Sequence, residues 1–188
     1  MSPPTTAPLP RVPEAAAPPS PGVPDRYAEA SIPAGTLLVA WNDRGVCLVR
    51  LGDRTGGVRA DLNRAFPTAP PRGAPRGGRP WLDAVAKYLE APSPDLRVPT
   101  DVAGTPFQHW VWDALQAIPF GETRSYAEVA AEIGRPGAAR AVAGACAANP
   151  VPFVVPCHRV VRSDGSLGGF GLGTHLKAWL LDRERSRE

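Results

Sequence analysis

Proline placement limits what this chain can fold into more than any other feature. Each proline fixes φ and removes a backbone donor, which disfavours it in helix interiors and central strands. Of the 24 prolines, nine fall in the first 25 residues, among alanines and hardly any large apolar side chain. Such a segment cannot bury enough apolar surface to offset its ordering entropy. Residues 1–25 therefore read as a disordered tail; the functional alternative is a proline segment that docks on a partner. Order is expected from near Tyr27.

The rest of the chain is long enough for one domain, or for two small ones packed together. No apolar run approaches the roughly 18 residues of a membrane span, so no membrane partner is expected. The N-terminus lacks the basic start, apolar middle and cleavage site of a signal peptide. Three cysteines without paired spacing argue against a disulfide framework and for a reducing cytoplasm. No Cys/His cluster has structural-zinc spacing, and neither metal nor cofactor is expected. The net charge is only +3, although 19 of the 21 basic residues are arginine. Arginine suits bidentate contacts to phosphate and base edges. A GC-rich genome gives the same bias, however, and so small a net charge falls short of a general polyanion binder. Any nucleic-acid site must be local.

Residues 26–100 read as a small α/β unit without evident chemistry. Thr36–Trp41 and Val46–Leu51, separated by Asn42-Asp43-Arg44-Gly45, predict a β-hairpin. Cys47 inside its second strand reads as a small buried hydrophobe. Residues 67–80 read as a mobile loop whose three arginines are either solvated or in reach of a phosphate backbone. Pro80 then opens a helix to about Glu90, with Trp81, Val85 and Leu89 on one face. Leu96–Val98 is a candidate strand.

Residues 104–188 change character. Phe107, Val111, Leu115 and Ile118 share one face of a helix that Pro119 ends. Ser125-Tyr-Ala-Glu128 is a capping box opening a helix to about Ile133. Gly134-Arg135-Pro136 reads as a tight turn with Pro136 at the next N1 position, followed by a helix from Gly137 to about Ala148. This pair makes a helix-turn-helix candidate. Its second helix is nearly all small residues, with Arg140 its only charge. That composition suits either tight packing on a neighbour or close approach to a flat surface. Segment 124–162 carries five arginines against Glu128 and Glu132, a local basic excess.

The stretch Asn149–Val161 concentrates reactive chemistry. Prolines 150, 152 and 156 stiffen the approach to Cys157. A thiol becomes a good nucleophile as thiolate, which calls for a base, a cation or a helix N-terminus nearby. His158 offers the base and Arg159 the positive field. Adjacent residues seldom face each other, so a link between His158 and Cys157 would run through a water or a turned backbone. A bare Cys-His pair also occurs by chance, but less readily between prolines that hold it rigid.

Pro156-Cys157-His158-Arg159-Val160 resembles the active-site signature of the O6-alkylguanine-DNA alkyltransferases. Phe120–Tyr126, Ala138–Val142, Asn149–Pro152 and Lys177–Leu181 through Glu184 fall in that family's order and near its spacing. The resemblance is strong over about 104–188 and weaker over 27–100. It implies an α+β protein: a small N-terminal α/β domain with a short ribonuclease H-like sheet, then a mostly helical, winged helix-turn-helix-like catalytic domain.

It also implies roles. Cys157 would take the alkyl group from O6 of guanine, or from O4-alkylthymine, once per molecule. His158 would act through a water as the base, and Glu184 would hold its tautomer. Asn149 would brace the turn, and Tyr126 would help rotate the nucleotide and donate toward the guanine. The target oxygen lies inside the base stack, so the nucleotide must be flipped. The resemblance implies flipping from the minor groove of double-stranded DNA, with Ala138 and Ala139 fitting the groove and Arg140 filling the vacated hole. Arg124, Arg135 and Arg162 would touch phosphates. Cys146, Pro152, Val160, Gly169, Phe170 and Gly171 would line the base pocket, although Cys146 also reads as a buried structural thiol.

There are departures from the family's pattern. In Gly168–Gly173 the family often has tyrosine and then serine or glycine, so Phe170 and Gly171 lack hydroxyl donors, and Leu172 narrows the pocket. Some relatives hold zinc in the N-terminal domain, which His109, His175 and these cysteines do not match. His109 reads as a helix-surface residue, His175 as a first-turn residue of the last helix, and the five tryptophans as core.

The alternatives are a non-enzymatic lesion-binding relative, which Cys157 opposes, a methylation-responsive transcription regulator, and a cysteine hydrolase. Bifunctional regulators of the family carry further metal and DNA-binding domains, which a 25-residue tail cannot contain. A hydrolase leaves Arg140 and the alanine helix unexplained. A monomer acting on alkylated double-stranded DNA is expected.

Overall fold

The computed structural model describes residues 22–52, 55–67, 71–74 and 79–186; the tail reading for residues 1–21 lies outside them, and for 22–25 it is corrected, since Gly22 and Pro24 are buried and Asp25 N–H donates to Trp41 O at 3.0 Å. The expected hairpin is formed by β2 (Gly35–Trp41) and β3 (Val46–Gly52), antiparallel with a register shift at Ala40/Trp41. Asn42 Oδ1 accepts the backbone N–H of Arg44 and Gly45, which closes its turn. β1 (Arg26–Ile32), not foreseen as a strand, pairs antiparallel with β2. β4 (Arg72–Gly73) adds in parallel to β1, giving the order β3-β2-β1-β4. The reading of 67–80 as loop throughout is corrected at β4, because Arg72 and Ala74 donate to the carbonyls of Asp25 and Tyr27. Arg76 lies outside the described residues.

β2 is apolar on both faces because both are covered. Leu38 and Ala40 pack with Leu48 against Val58 and Leu62 of α1 (Thr55–Ala65). Sequence reasoning missed that helix, since its two glycines are poor helix formers. Leu37, Val39 and Trp41 belong to the main core with α2 (Pro80–Glu90). Its buried face is Leu82, Val85, Tyr88 and Leu89, with Trp81 only half-buried, so the predicted stripe is rotated by one residue. Leu96–Val98 forms no strand. The chain there runs in coil, fastened to β3 by Val46 N–H on Pro99 O at 2.8 Å and Asp101 N–H on Val46 O at 3.0 Å.

The C-terminal half contains α3 (Pro106–Ala117), α4 (Tyr126–Glu132), α5 (Ala139–Ala147) and α6 (Thr174–Arg185). Both halves of the predicted capping box are present: Glu128 N–H donates to Ser125 Oγ and Ser125 N–H to Glu128 Oε2. α5 begins later than expected. Gly137 takes φ +91°, which breaks the backbone after Pro136, so Pro136 sits in the turn and not at N1. Ala138 is the N-cap and Ala139 the first helical residue. Trp112 Nε1 donates to Ala145 O at 2.9 Å, pinning α3 to α5. A short parallel pair, β5 (Arg124–Ser125) with β6 (Val160–Val161), places Tyr126 beside the segment that follows Cys157.

One core cluster runs from Val39 through Leu82, Leu115 and Val129 to Cys157 and Leu180. Of the tryptophans, Trp41 and Trp112 are buried in it. Trp110 and Trp179 are partly exposed and lie under the guanidiniums of Arg135 and Arg183. His109 is half-buried and not on the open surface, its ring edge-to-face with Trp112 at 5.3 Å. His175 stands exposed in the first turn of α6, as expected. Among the described residues, no helix is long and apolar enough to cross a membrane.

Candidate functional site

The prolines 150, 152 and 156 hold Asn149–Pro156 as a tight, non-helical approach. Phe153 within it is buried at φ +75°, a strained backbone that the surrounding bonds must enforce. Val151 N–H donates to Asn149 Oδ1 at 3.0 Å, and Asn149 Nδ2 donates to Val155 O at 2.9 Å. The same amide reaches Cys157 Sγ at 3.2 Å. Asn149 thus ties both ends of the loop together and touches the thiol.

Cys157-His158-Arg159 form one 3₁₀ turn, and its tight pitch sends the adjacent side chains in different directions. Cys157 faces a cavity, whereas His158 points into the core, where Nε2 meets Glu184 Oε1 of α6 at 2.8 Å. His158 and Glu184 are fully buried. Glu184 accepts from four residues: His158, Arg159 through Nε at 2.9 Å and Nη2 at 3.1 Å, Gly121 N–H at 3.3 Å, and the Tyr88 hydroxyl. Burial raises a carboxyl's pKa, but the bonds from His158 and Arg159, His158's charge and the Tyr88 bond outweigh it, holding Glu184 at about 2. An ionised carboxylate only accepts, so Nε2 carries the imidazole proton and Nδ1 is left as the basic nitrogen. That nitrogen is buried and has no hydrogen-bond partner among the described residues. Burial also holds the His158 pKa below the usual imidazole range.

The electrostatics correct one sequence reading. Arg159 is committed to Glu184 and to Ile118 O, so it does not supply a free positive field at the thiol. The cation that acts on Cys157 is Lys177 of α6, fully buried with Nζ donating to Val160 O. Burial pushes the Cys157 thiol up, while the Asn149 amide and the Lys177 charge oppose the rise. The resting group is therefore a thiol, and ionisation must accompany reaction. Sequence reasoning quoted Lys177 only as part of a motif and missed Tyr88 altogether. A lone lysine amid the apolar residues of α6 was the available signal for the first.

The cavity at Cys157 measures ≈ 670 Å³ and is lined by Tyr126, Cys146, Asn149, Pro152, Gly169, Phe170, Gly171 and Leu172. Val49, Arg50 and Leu51 close it from the N-terminal half. Val160 is not in its wall: the side chain is buried in the core and only its carbonyl serves the site, by holding Lys177. Cys146 does line the cavity, half-buried, with burial pushing its thiol up to about 12. At Gly168, φ is +66° and an added Cβ would lie 3.0 Å from the Tyr126 hydroxyl, so only glycine lets the loop close over that ring. Arg135, Arg140 and Arg162 are exposed. Arg124 is half-buried and ion-paired with Glu122 at 2.8 Å and Glu132 at 3.6 Å.

A cysteine in a cavity lined by residues of α4 and α5, with a buried His–Glu pair beside it, defines a reactive-thiol site built on a helix-turn-helix. Residues 106–186 match the family model described as 6-O-methylguanine DNA methyltransferase, DNA binding domain. The chain is 40% identical over 161 residues to the methylated-DNA–protein-cysteine methyltransferase of Mycobacterium bovis, covering 86% of this chain and 93% of that one. It is 44% identical over 163 residues to the bifunctional transcriptional activator/DNA repair enzyme Ada of Escherichia coli, covering 87% of this chain. Here it spans about half of the relative's length, 46%. The crystal structure of Mycobacterium tuberculosis OGT in complex with DNA superposes with a TM-score of 0.73 at 37% identity, covering 86% of this chain and 94% of that one. The chain belongs to the methylated-DNA–protein-cysteine methyltransferase family, that is, the O6-alkylguanine-DNA alkyltransferases.

Proposed function

We propose that this protein repairs alkylated DNA by transferring the alkyl group from O6 of guanine, and from O4 of thymine, irreversibly to Cys157. The observation that carries the reading is Cys157 Sγ in a cavity roomy enough for a base, ≈ 670 Å³, touched by the Asn149 amide and followed in the same turn by His158, which is buried against Glu184 of α6. His158 Nδ1 takes the thiol proton through a water, and Glu184 stabilises the imidazolium through Nε2–H. The S–C bond forms as the C–O6 bond breaks, and the proton returns to the departing guanine. Tyr126 donates toward the base. With Phe170 and Gly171 lacking hydroxyls, backbone N–H groups of the 168–173 loop supply any further donor. No metal or cofactor takes part.

The DNA partner fits the relatives, one of which was crystallised with DNA. α5 enters the minor groove of the duplex with Ala139 against it and Ala138 at its N-cap, and Arg140 fills the space the flipped base leaves. Arg135 and Arg162 contact phosphates, and Arg124 does so after giving up part of its pairing with Glu122 and Glu132. In this reading residues 26–100 are the scaffold, residues 104–188 bind DNA and accept the alkyl group, and the protein works in the cytoplasm as a monomer.

Intact-protein mass after incubation with a short duplex containing O6-methylguanine, followed by peptide mapping, tests the proposal. One added methyl on the Cys157 peptide with guanine restored supports it. Tight lesion-specific binding without mass change refutes it in favour of a lesion-binding protein.

A further inference from the structure

Tyr88 is the one side chain of the N-terminal half that hydrogen-bonds the His–Glu pair among the described residues. It stands on α2, 3% exposed, and its hydroxyl donates to Glu184 Oε1 while lying 3.3 Å from His158 Nε2. Neither neighbour can spare the hydroxyl to water, because both are fully buried. A phenol serves here where a phenylalanine would not. With its proton given to the carboxylate, the oxygen is left as a second, longer acceptor for the Nε2–H that the neutral imidazole donates to Glu184 at 2.8 Å. The bond therefore fits only an ionised Glu184 and only the Nε2–H form of His158. Burial, then the charge and hydrogen bond of Glu184, push the Tyr88 hydroxyl far above its ordinary range, so it remains a donor at every working pH.

Resting on the alkyltransferase reading, we infer that Tyr88 is a positioning residue for alkyl transfer: from the scaffold half, it holds the Glu184 rotamer, and through that carboxylate the His158 tautomer that leaves Nδ1 free to take the Cys157 proton. The α2 helix thereby becomes part of the acceptor machinery. The groups facing His158 are Glu184 and Lys177 of α6, Arg159 of its own turn, and Tyr88 of α2. Three donors share Glu184 Oε1, namely Tyr88, His158 and Arg159. Removing the phenolic proton concentrates the carboxylate's charge on the other two. The imidazolium is then favoured, and His158 stays protonated to higher pH.

The test is the full chain and its Tyr88→Phe variant in single-turnover transfer from an O6-methylguanine duplex across a pH series. The variant keeps the ring and the packing. It is expected to transfer about tenfold more slowly, the loss of one hydrogen bond to a charged group. The acid limb of its profile should move to higher pH, with lesion affinity within about twofold of the parent. An unchanged rate and limb, or a limb moved to lower pH, overturns the inference. The ¹⁵N shifts of the His158 ring in the unsubstituted protein give a second check that needs no variant: Nε2–H is expected, and an Nδ1–H tautomer refutes the role. If the unsubstituted protein transfers no alkyl group, the alkyltransferase reading has failed, and the ¹⁵N titration of His158 still tests the contact: a midpoint moved to higher pH in Tyr88→Phe keeps it, and an unmoved midpoint overturns it.

Discussion

The thiol at residue 157 is weakly acidic at rest, and the groups that would ionise it come from three places in the chain. Asn149 is eight residues upstream, Lys177 lies on α6, and His158 acts across the turn. Cys157→Ala should abolish transfer and leave lesion binding largely intact, as read by peptide mass and by gel shift. Lys177→Met should keep the fold and remove the buried charge. The Cys157 thiol pKa should then rise, and its reaction with a small alkylating reagent should slow at neutral pH. Glu184 governs acid stability. Folding lowers its pKa from 4.5 to about 2, so its contribution is complete above about pH 4.5. That contribution is lost as the pH falls toward 2. Burial of neutral His158 acts in the same direction, since the unfolded imidazole takes up its proton first. Glu184→Gln should cost about 3 kcal/mol by leaving Arg159 without its carboxylate, and should flatten the acid limb of urea midpoint against pH.

Among the elements, α4 couples stability to function and α5 separates them. Ser125 caps α4 reciprocally with Glu128, and Ser125→Ala should cost about 1 kcal/mol in chemical denaturation. Because Tyr126 follows directly, the same change should also slow transfer. Arg140 on α5 is exposed and has no hydrogen-bond or ion-pair partner among the described residues. Arg140→Ala should leave stability within about 0.5 kcal/mol while slowing transfer from duplex DNA. The free base O6-benzylguanine, which needs no flipping, should react at the parent rate. The capping box and the proline-ended α3 were legible because their signals are local in sequence. α1 and β4 were not. The first has weak intrinsic helix propensity, and the second consists of two residues whose strand character comes only from pairing with β1.

Two links join the halves of the molecule and bear on the site together. β3 holds the proline loop through Val49 N–H on Pro150 O at 2.9 Å and Arg50 Nη1 on the same carbonyl at 3.2 Å. α2 reaches the His158–Glu184 pair through Tyr88. With one core cluster shared across them, tryptophan fluorescence and far-UV circular dichroism should report one coincident unfolding transition. Two separate transitions would contradict the shared core. By itself the sequence determined the helix-turn-helix, the proline-flanked cysteine proposed as acceptor, its adjacent histidine and the motif that holds Glu184, because each depends on neighbours within a few residues or on a recurring pattern. Only the tertiary structure decided which cation serves the thiol, that Arg159 is spent on Glu184, that Val160 offers its carbonyl and not its side chain, and that a tyrosine 96 residues before Glu184 completes the pair. Those choices depend on which buried charges meet once distant elements pack, and desolvation sets their energies. No local pattern of residues encodes that meeting.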